Sequence, residues 1–197
     1  MSRIILSLIG LLFLAACGAE SKWASDEFVA SKRYVFDGPP MLSLFTVVST
    51  RSGSGAHLGL MINGSQRVLF DPAGTFQHPN IPERNDVHYG ITPAVVDFYI
   101  DYHARVTYDV IRQDIVVTPE VAEQAIRLVE AYGAVPKGYC TKSISAILRQ
   151  LPGFESMPDS FFPLKAMEAF GRLPGVTTET FSDSDPEENG YILTRGI

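Results

Sequence analysis

The chain has 197 residues, 46% of them hydrophobic, and carries 16 lysines and arginines against 22 aspartates and glutamates, for a net charge of −6. That length supports one domain with a sizeable core, and an acidic chain without a dense Lys/Arg cluster excludes nucleic acid as a natural partner. Only two cysteines occur, Cys17 and Cys140, so each needs its own explanation.

Residues 1–16 read as a secretory address and not as part of the fold. Arg3 is their only charge, and Ile4 to Leu14 is a nearly unbroken apolar run, shorter than the ~20 residues a membrane-spanning helix needs. Leu14-Ala15-Ala16-Cys17 resembles the lipobox of bacterial lipoproteins, in which cleavage precedes a cysteine that takes a diacylglycerol. The resemblance implies lipid attachment at Cys17 and a lipid bilayer as partner. Gly18, standing where an aspartate would resemble an inner-membrane retention signal, favours the outer membrane, facing the periplasm. Cleavage before Cys17 would leave 181 of the 197 residues. Residues 17–33 mix small and charged types without a period and are expected to form a membrane-proximal linker, with a single domain over 34–197. Cys140 then has no disulfide partner. A lone exported thiol is open to oxidation, so it is expected to be deeply buried or chemically used.

Leu42 to Ser49 is a β-branched and aromatic run between Pro39-Pro40 and a Gly/Ser-rich segment, the pattern of a strand followed by a flexible loop. His57–Ile62 and Arg67–Asp71 flank Asn63-Gly64-Ser65-Gln66, the turn chemistry of a β-hairpin. Side chains alternate along a strand, so His57 and Asp71 share a face if no bulge intervenes. A three-residue loop over Asn63 to Ser65 would set them directly opposite. A carboxylate there can fix the imidazole's tautomer and orientation while its other nitrogen faces a nucleophile. Asp71-Pro72 is also a common turn opener, and that reading stays open beside the first. Pro72 to Gly90 is rich in proline and Asn/Asp and is expected to be an irregular loop. Its histidines, His78 and His88, lack partners at metal-ligand spacing.

Thr92-Pro93 predicts a capped helix to about His103, with Val95, Phe98, Tyr99 and Tyr102 on one face. Val106, Tyr108 and Val110 alternate as in a strand, and Ile115 and Val117 do so again after the polar Arg112-Gln113-Asp114. Thr118-Pro119-Glu120 opens a second helix, with a Val121, Ala125, Leu128, Val129, Tyr132 stripe ended by Gly133. Ile144, Ile147, Leu148 and Leu151 then mark a buried helical face up to Pro152-Gly153, which places Cys140 in the first turn of a helix. Unpaired N–H groups and the helix dipole favour a thiolate there, and Lys137 and Lys142 are expected to add to this. The simpler reading is a small buried hydrophobe, a frequent fate of free cysteine. Pro158 to Arg172 holds another helix candidate, and Tyr191 to Leu193 a short strand. Asp183, Asp185, Glu187 and Glu188 are expected to form a solvated loop and lack the spacing of an EF-hand.

Gly55-Ala56-His57-Leu58-Gly59-Leu60-Met61-Ile62, the hairpin to Asp71, and Tyr139-Cys140-Thr141-Lys142-Ser143-Ile144 with Leu148 resemble the circularly permuted, papain-like thiol hydrolases of the NlpC class. In that branch the histidine precedes the cysteine, as His57 precedes Cys140. The resemblance implies an α+β fold with a small antiparallel sheet packed against a nucleophile-bearing helix, with Cys140 as nucleophile, His57 as base and Asp71 as the orienting residue. It implies cleavage of an amide, ester or thioester bond without a cofactor or metal. For an exported lipoprotein the nearest amide-rich substrate is the peptide stem of peptidoglycan, and acyl-lipid esters come second. The competing expectation is a non-catalytic envelope lipoprotein that keeps the scaffold as a binding module.

Overall fold

The computed structural model describes residues 19–196. Residues 1–16, expected to be a signal peptide, and Cys17, expected to take a lipid, lie outside the described residues.

The fold is α+β. Seven strands form one open antiparallel sheet in the order β4-β5-β3-β2-β1-β6-β7, larger than the small sheet expected. They are β1 (Met41–Ser49), β2 (Gly55–Asn63), β3 (Arg67–Phe70), β4 (Glu83–Arg84), β5 (Val87–Tyr89), β6 (Tyr108–Val116) and β7 (Thr177–Phe181). Five helices flank it: α1 (Asp26–Ser31), α2 (Pro93–His103), α3 (Pro119–Tyr132), α4 (Cys140–Leu148) and α5 (Pro163–Gly171). None of the helices among the described residues is long and apolar enough to cross a membrane.

Strand alternation divides the core into two halves. Leu58, Leu60 and Ile62 of β2 face α3, α4 and α5 in one apolar cluster. Met61 and Leu69 face α2 in the other, with Phe45 and Val110. Thr92 and Thr118 cap α2 and α3 by accepting from Val95 N–H and Val121 N–H, as their Thr-Pro openings predict. In α4, Ile144, Ile147 and Leu148 are fully buried, and each such side chain contributes about 1.5–3 kcal/mol. That anchorage fixes the helix, and with it the position of Cys140 at its first turn.

The hairpin differs from expectation by one residue at its turn. β2 and β3 pair Asn63 with Arg67 and Leu60 with Phe70, so the loop is Gly64 to Gln66. Asn63 stays in the strand because its side-chain carbonyl accepts from the buried Arg67 Nε at 2.5 Å, while Glu123 of α3 takes the Ser65 N–H and hydroxyl. Asp71 consequently continues opposite Gly59, and His57 sits diagonally from it on the same face.

Other differences have local causes. Residues 83–89, expected as part of an irregular loop, form the β4–β5 hairpin, whose two-residue turn puts Asn85 and Asp86 in left-handed backbone (φ 47° and 68°). β6 runs unbroken through Arg112-Gln113-Asp114 because Arg112 pairs with Asp114 and, across the sheet edge, with Glu179 of β7. β7, Thr-Thr-Glu-Thr-Phe in sequence, is an exposed edge strand that carries little apolar signal. Tyr191 to Leu193 is no strand: Ile192–Thr194 form a 3-10 turn. The segment expected as a tether is docked over its described part. Ala24 N–H donates to Glu83 O, Lys22 pairs with Glu83, and Arg84 lies over the Trp23 ring.

Candidate active site at the open edge of the second strand

β3 ends at Phe70, so the Gly55–Gly59 half of β2 has no strand on that side. On its other side a bulge between Val47 and Val48 of β1 sets Val47 opposite His57 and Val48 opposite Gly55, which re-aims the chain beside the histidine. The bulge precedes His57, so the parity that joins His57 to Asp71 is kept. His57 Nε2 lies 2.7 Å from Asp71 Oδ1, with the carboxylate fully buried and the imidazole 15% exposed. Asp71 also opens the turn, its carbonyl accepting from Gly74 N–H.

Cys140 is the first residue of α4 and is 7% exposed. The hydrogen-bond partner in reach of its thiol is the Thr141 hydroxyl, at 4.0 Å, and the His57 ring and the Leu58 N–H lie near enough to act on its ionisation. Burial pushes the Cys140 thiol up, but His57, the Leu58 N–H and the Thr141 hydroxyl together bring it below its ordinary value of 9.0. Burial likewise pulls His57 down, yet the Asp71 carboxylate and then Cys140 outweigh it and raise the imidazole from 6.5 to about 10. Asp71 is opposed by burial and held well below the usual carboxylate range by His57, with smaller help from His103 and His88. The directions agree: thiolate, imidazolium and carboxylate stabilise one another in sequence. Because Nε2 is committed to Asp71, Nδ1 is the nitrogen left for the sulfur. Tyr139, the residue before α4, supplies no side-chain cap, so its side chain leaves the first N–H groups of the helix unclaimed.

Helix α2 brings two residues that the sequence reading did not single out for this chemistry. Tyr99 hydroxyl donates to Asp71 Oδ1 at 2.7 Å. His103, one turn on, stacks on His57 with centroids 5.7 Å apart and planes 9° from parallel. Burial, opposed by Asp71, lowers His103 to about 4, so a neutral ring lies against the imidazolium. Both residues sit on the apolar stripe of α2, which reads in sequence as ordinary core. The one available signal was Gly59, an interior strand glycine two residues after His57.

Other expected residues lie elsewhere. Lys142 is held by Asp159 at 2.5 Å, so it is tied to a carboxylate and not free to support the thiol. His78 donates from Nε2 to Arg195 O and accepts from Asn80 N–H, a structural tie to the C-terminal segment. His88 is buried beside Phe76 and lowered to about 4, chiefly by burial. Asp185, expected in a solvated loop, pairs with the buried Arg105 at 3.0 Å. Asp101, Asp183 and Asp185 could gather around a metal ion, but arginines hold two of the three. His57, Asp71 and His103 offer a second set of ligand atoms within 4.8 Å of one another. There Asp71 Oδ1 is already shared by His57 and Tyr99.

A cavity of about 720 Å³ opens between the turn after Asp71 and the loop before Cys140, with Gly74, Val135 and Tyr139 in its wall and Glu20, Lys22, Glu83, Asp86 and Lys137 as charged groups; Cys140 and His57 do not line it. Comparison with family models, with curated proteins and with solved structures returned no match. The functional reading therefore rests on the geometry of this site.

Proposed function

We propose that the protein is a cell-envelope thiol hydrolase of the papain-like, permuted NlpC type, acting through a Cys140 acyl-enzyme. The observation that carries the reading is the relay itself. A thiol at a helix start lies near enough to an imidazole for the ring to act on its ionisation, and that imidazole's Nε2 is bonded to a buried carboxylate 2.7 Å away, the arrangement that activates a cysteine nucleophile. The lipobox-like Leu14-Ala15-Ala16-Cys17 supports export, lipid attachment at Cys17 and residence in the outer membrane facing the periplasm.

The chemistry runs in two halves. The Cys140 thiolate attacks the carbonyl carbon, a C–S bond forms, and the developing oxyanion is met by the Cys140 N–H at the start of α4. His57 Nδ1–H gives its proton to the leaving amine or alcohol as the C–N or C–O bond to the carbonyl carbon breaks. A water then attacks the thioester while neutral His57 takes its proton, the carboxylic acid product departs, and the thiolate–imidazolium pair returns. Asp71 stays ionised throughout and steadies the imidazolium. No metal or cofactor enters these steps.

Between the two substrate classes the peptide stem of peptidoglycan is preferred. The cavity beside Tyr139, next to the site though not lined by Cys140 or His57, carries three carboxylates and two lysines, a charged wall that suits a zwitterionic peptide better than an acyl chain. Incubation of the protein with purified sacculi is expected to release muropeptides, and Cys140→Ser is expected to release none. Intact sacculi combined with cleavage of acyl-lipid esters would move the assignment to lipid turnover. Inertness toward both, with an unreactive Cys140, would favour the binding-module reading.

A further inference from the structure

We propose that Tyr99 is a positioning residue for this site: its hydroxyl, laid across the bare backbone of Gly59, holds the Asp71 carboxylate in the orientation that grips His57. The inference rests on the thiol-hydrolase reading above.

Asp71 Oδ1 receives two donors, His57 Nε2 and Tyr99 hydroxyl, each at 2.7 Å, whereas Oδ2 is buried without a partner among the described residues. A buried carboxylate held at one oxygen by one donor can turn about its Cβ–Cγ bond. Two donors converging from different elements remove that freedom. The direction of the Tyr99 bond is unambiguous: burial, and then Asp71, raise the phenol well above its ordinary 10, so it donates and never accepts from the carboxylate. Donation to an ionised group makes this one of the stronger kinds of hydrogen bond.

Tyr99 is itself held. It is 1% exposed, its ring meets Phe45 and Phe76 edge-on at 5.3 and 5.0 Å, and its carbonyl is bonded to His103 Nδ1 at 2.9 Å. The path from α2 to Asp71 exists because residue 59 has no side chain. A Cβ there would lie 2.3 Å from the Tyr99 hydroxyl oxygen and 3.2 Å from Cζ. A glycine inside a strand weakens it and signals close approach of another group; here the group is this phenol.

The geometry prescribes a double-mutant cycle. Wild type, Tyr99→Phe, Gly59→Ala and the double variant are compared by the rate of Cys140 alkylation with iodoacetamide across pH, located by mass spectrometry, with thermal unfolding as the control for folding. Each single substitution is expected to slow alkylation near pH 6 by roughly 10- to 100-fold and to move the midpoint of the pH profile. The double variant should be no slower than the slower single, because removing the hydroxyl relieves most of the clash with the new Cβ. Wild-type rate and profile in Tyr99→Phe, or losses that multiply in the double variant, would overturn the proposal. Tyr99→Phe removes one atom from a packed ring and decides the matter by itself if Gly59→Ala does not fold. A wild-type Cys140 no faster than a free thiol is a separate failure, visible before any variant is made; it removes the hydrolase reading and this proposal with it.

Discussion

Cys140→Ser is expected to lower turnover by roughly 10⁴-fold or more while leaving the fold intact. The two side chains have the same shape, and the anchoring of α4 by Ile144, Ile147 and Leu148 does not involve the thiol. What changes is acidity. Burial opposes ionisation at this position, and His57, the Leu58 N–H and the Thr141 hydroxyl together bring a thiol below 9.0. A hydroxyl starts several units higher, so the same surroundings cannot yield a useful population of alkoxide. The measurement is hydrolysis by both proteins, with matched circular dichroism and unfolding midpoints. Equal turnover would remove Cys140 from the chemistry.

Asp71→Asn is expected to cost about 10⁴-fold in kcat, by analogy of role with the acid of a serine-protease triad. The amide keeps the volume between His57 and Tyr99 but carries no charge. Asp71 is the main influence that outweighs burial at His57, so without it the imidazole falls from about 10 and the thiolate loses its counter-ion near neutral pH. Stability should follow the same pair. Asp71 has a folded value below 3.8, so its contribution is present above 3.8 and disappears as pH falls through the folded value. His57 has a folded value above 6.5, so its contribution is complete below 6.5 and disappears as pH rises through about 10. The stability gap between wild type and Asp71→Asn, read from urea midpoints, is therefore expected to be widest between pH 3.8 and 6.5. A gap that does not vary with pH would contradict the ion pair.

Much of this site was legible in the sequence because it depends on parity and punctuation. Two residues fourteen apart across a turn share a face, so His57 and Asp71 could be paired from alternation alone, although the turn residues were placed one position early. Thr92-Pro93 and Thr118-Pro119 announced two helices, and the apolar stripe after Cys140 placed the thiol at a third helix start. Tyr99 and His103 were not legible as site residues. Their spacing on α2 is that of core residues, and only the packing of α2 over β2 turns a phenol and an imidazole toward Asp71. The β4–β5 hairpin escaped because two-residue strands have no period, and β7 because an exposed edge can be built from threonine and glutamate. The docking of Lys22 and Trp23 was not legible for a related reason: their partners, Glu83 and Arg84, are distant in sequence.

The most direct test of the thiolate–imidazolium pair is the rate of Cys140 alkylation by iodoacetamide as a function of pH in the folded wild-type protein. The account predicts reactivity that rises at a pH below the usual 9.0, exceeds that of a free cysteine near neutrality, and shows a second inflection near 10 as His57 loses its proton. A single inflection at or above 9.0, unchanged by His57→Ala, would contradict it.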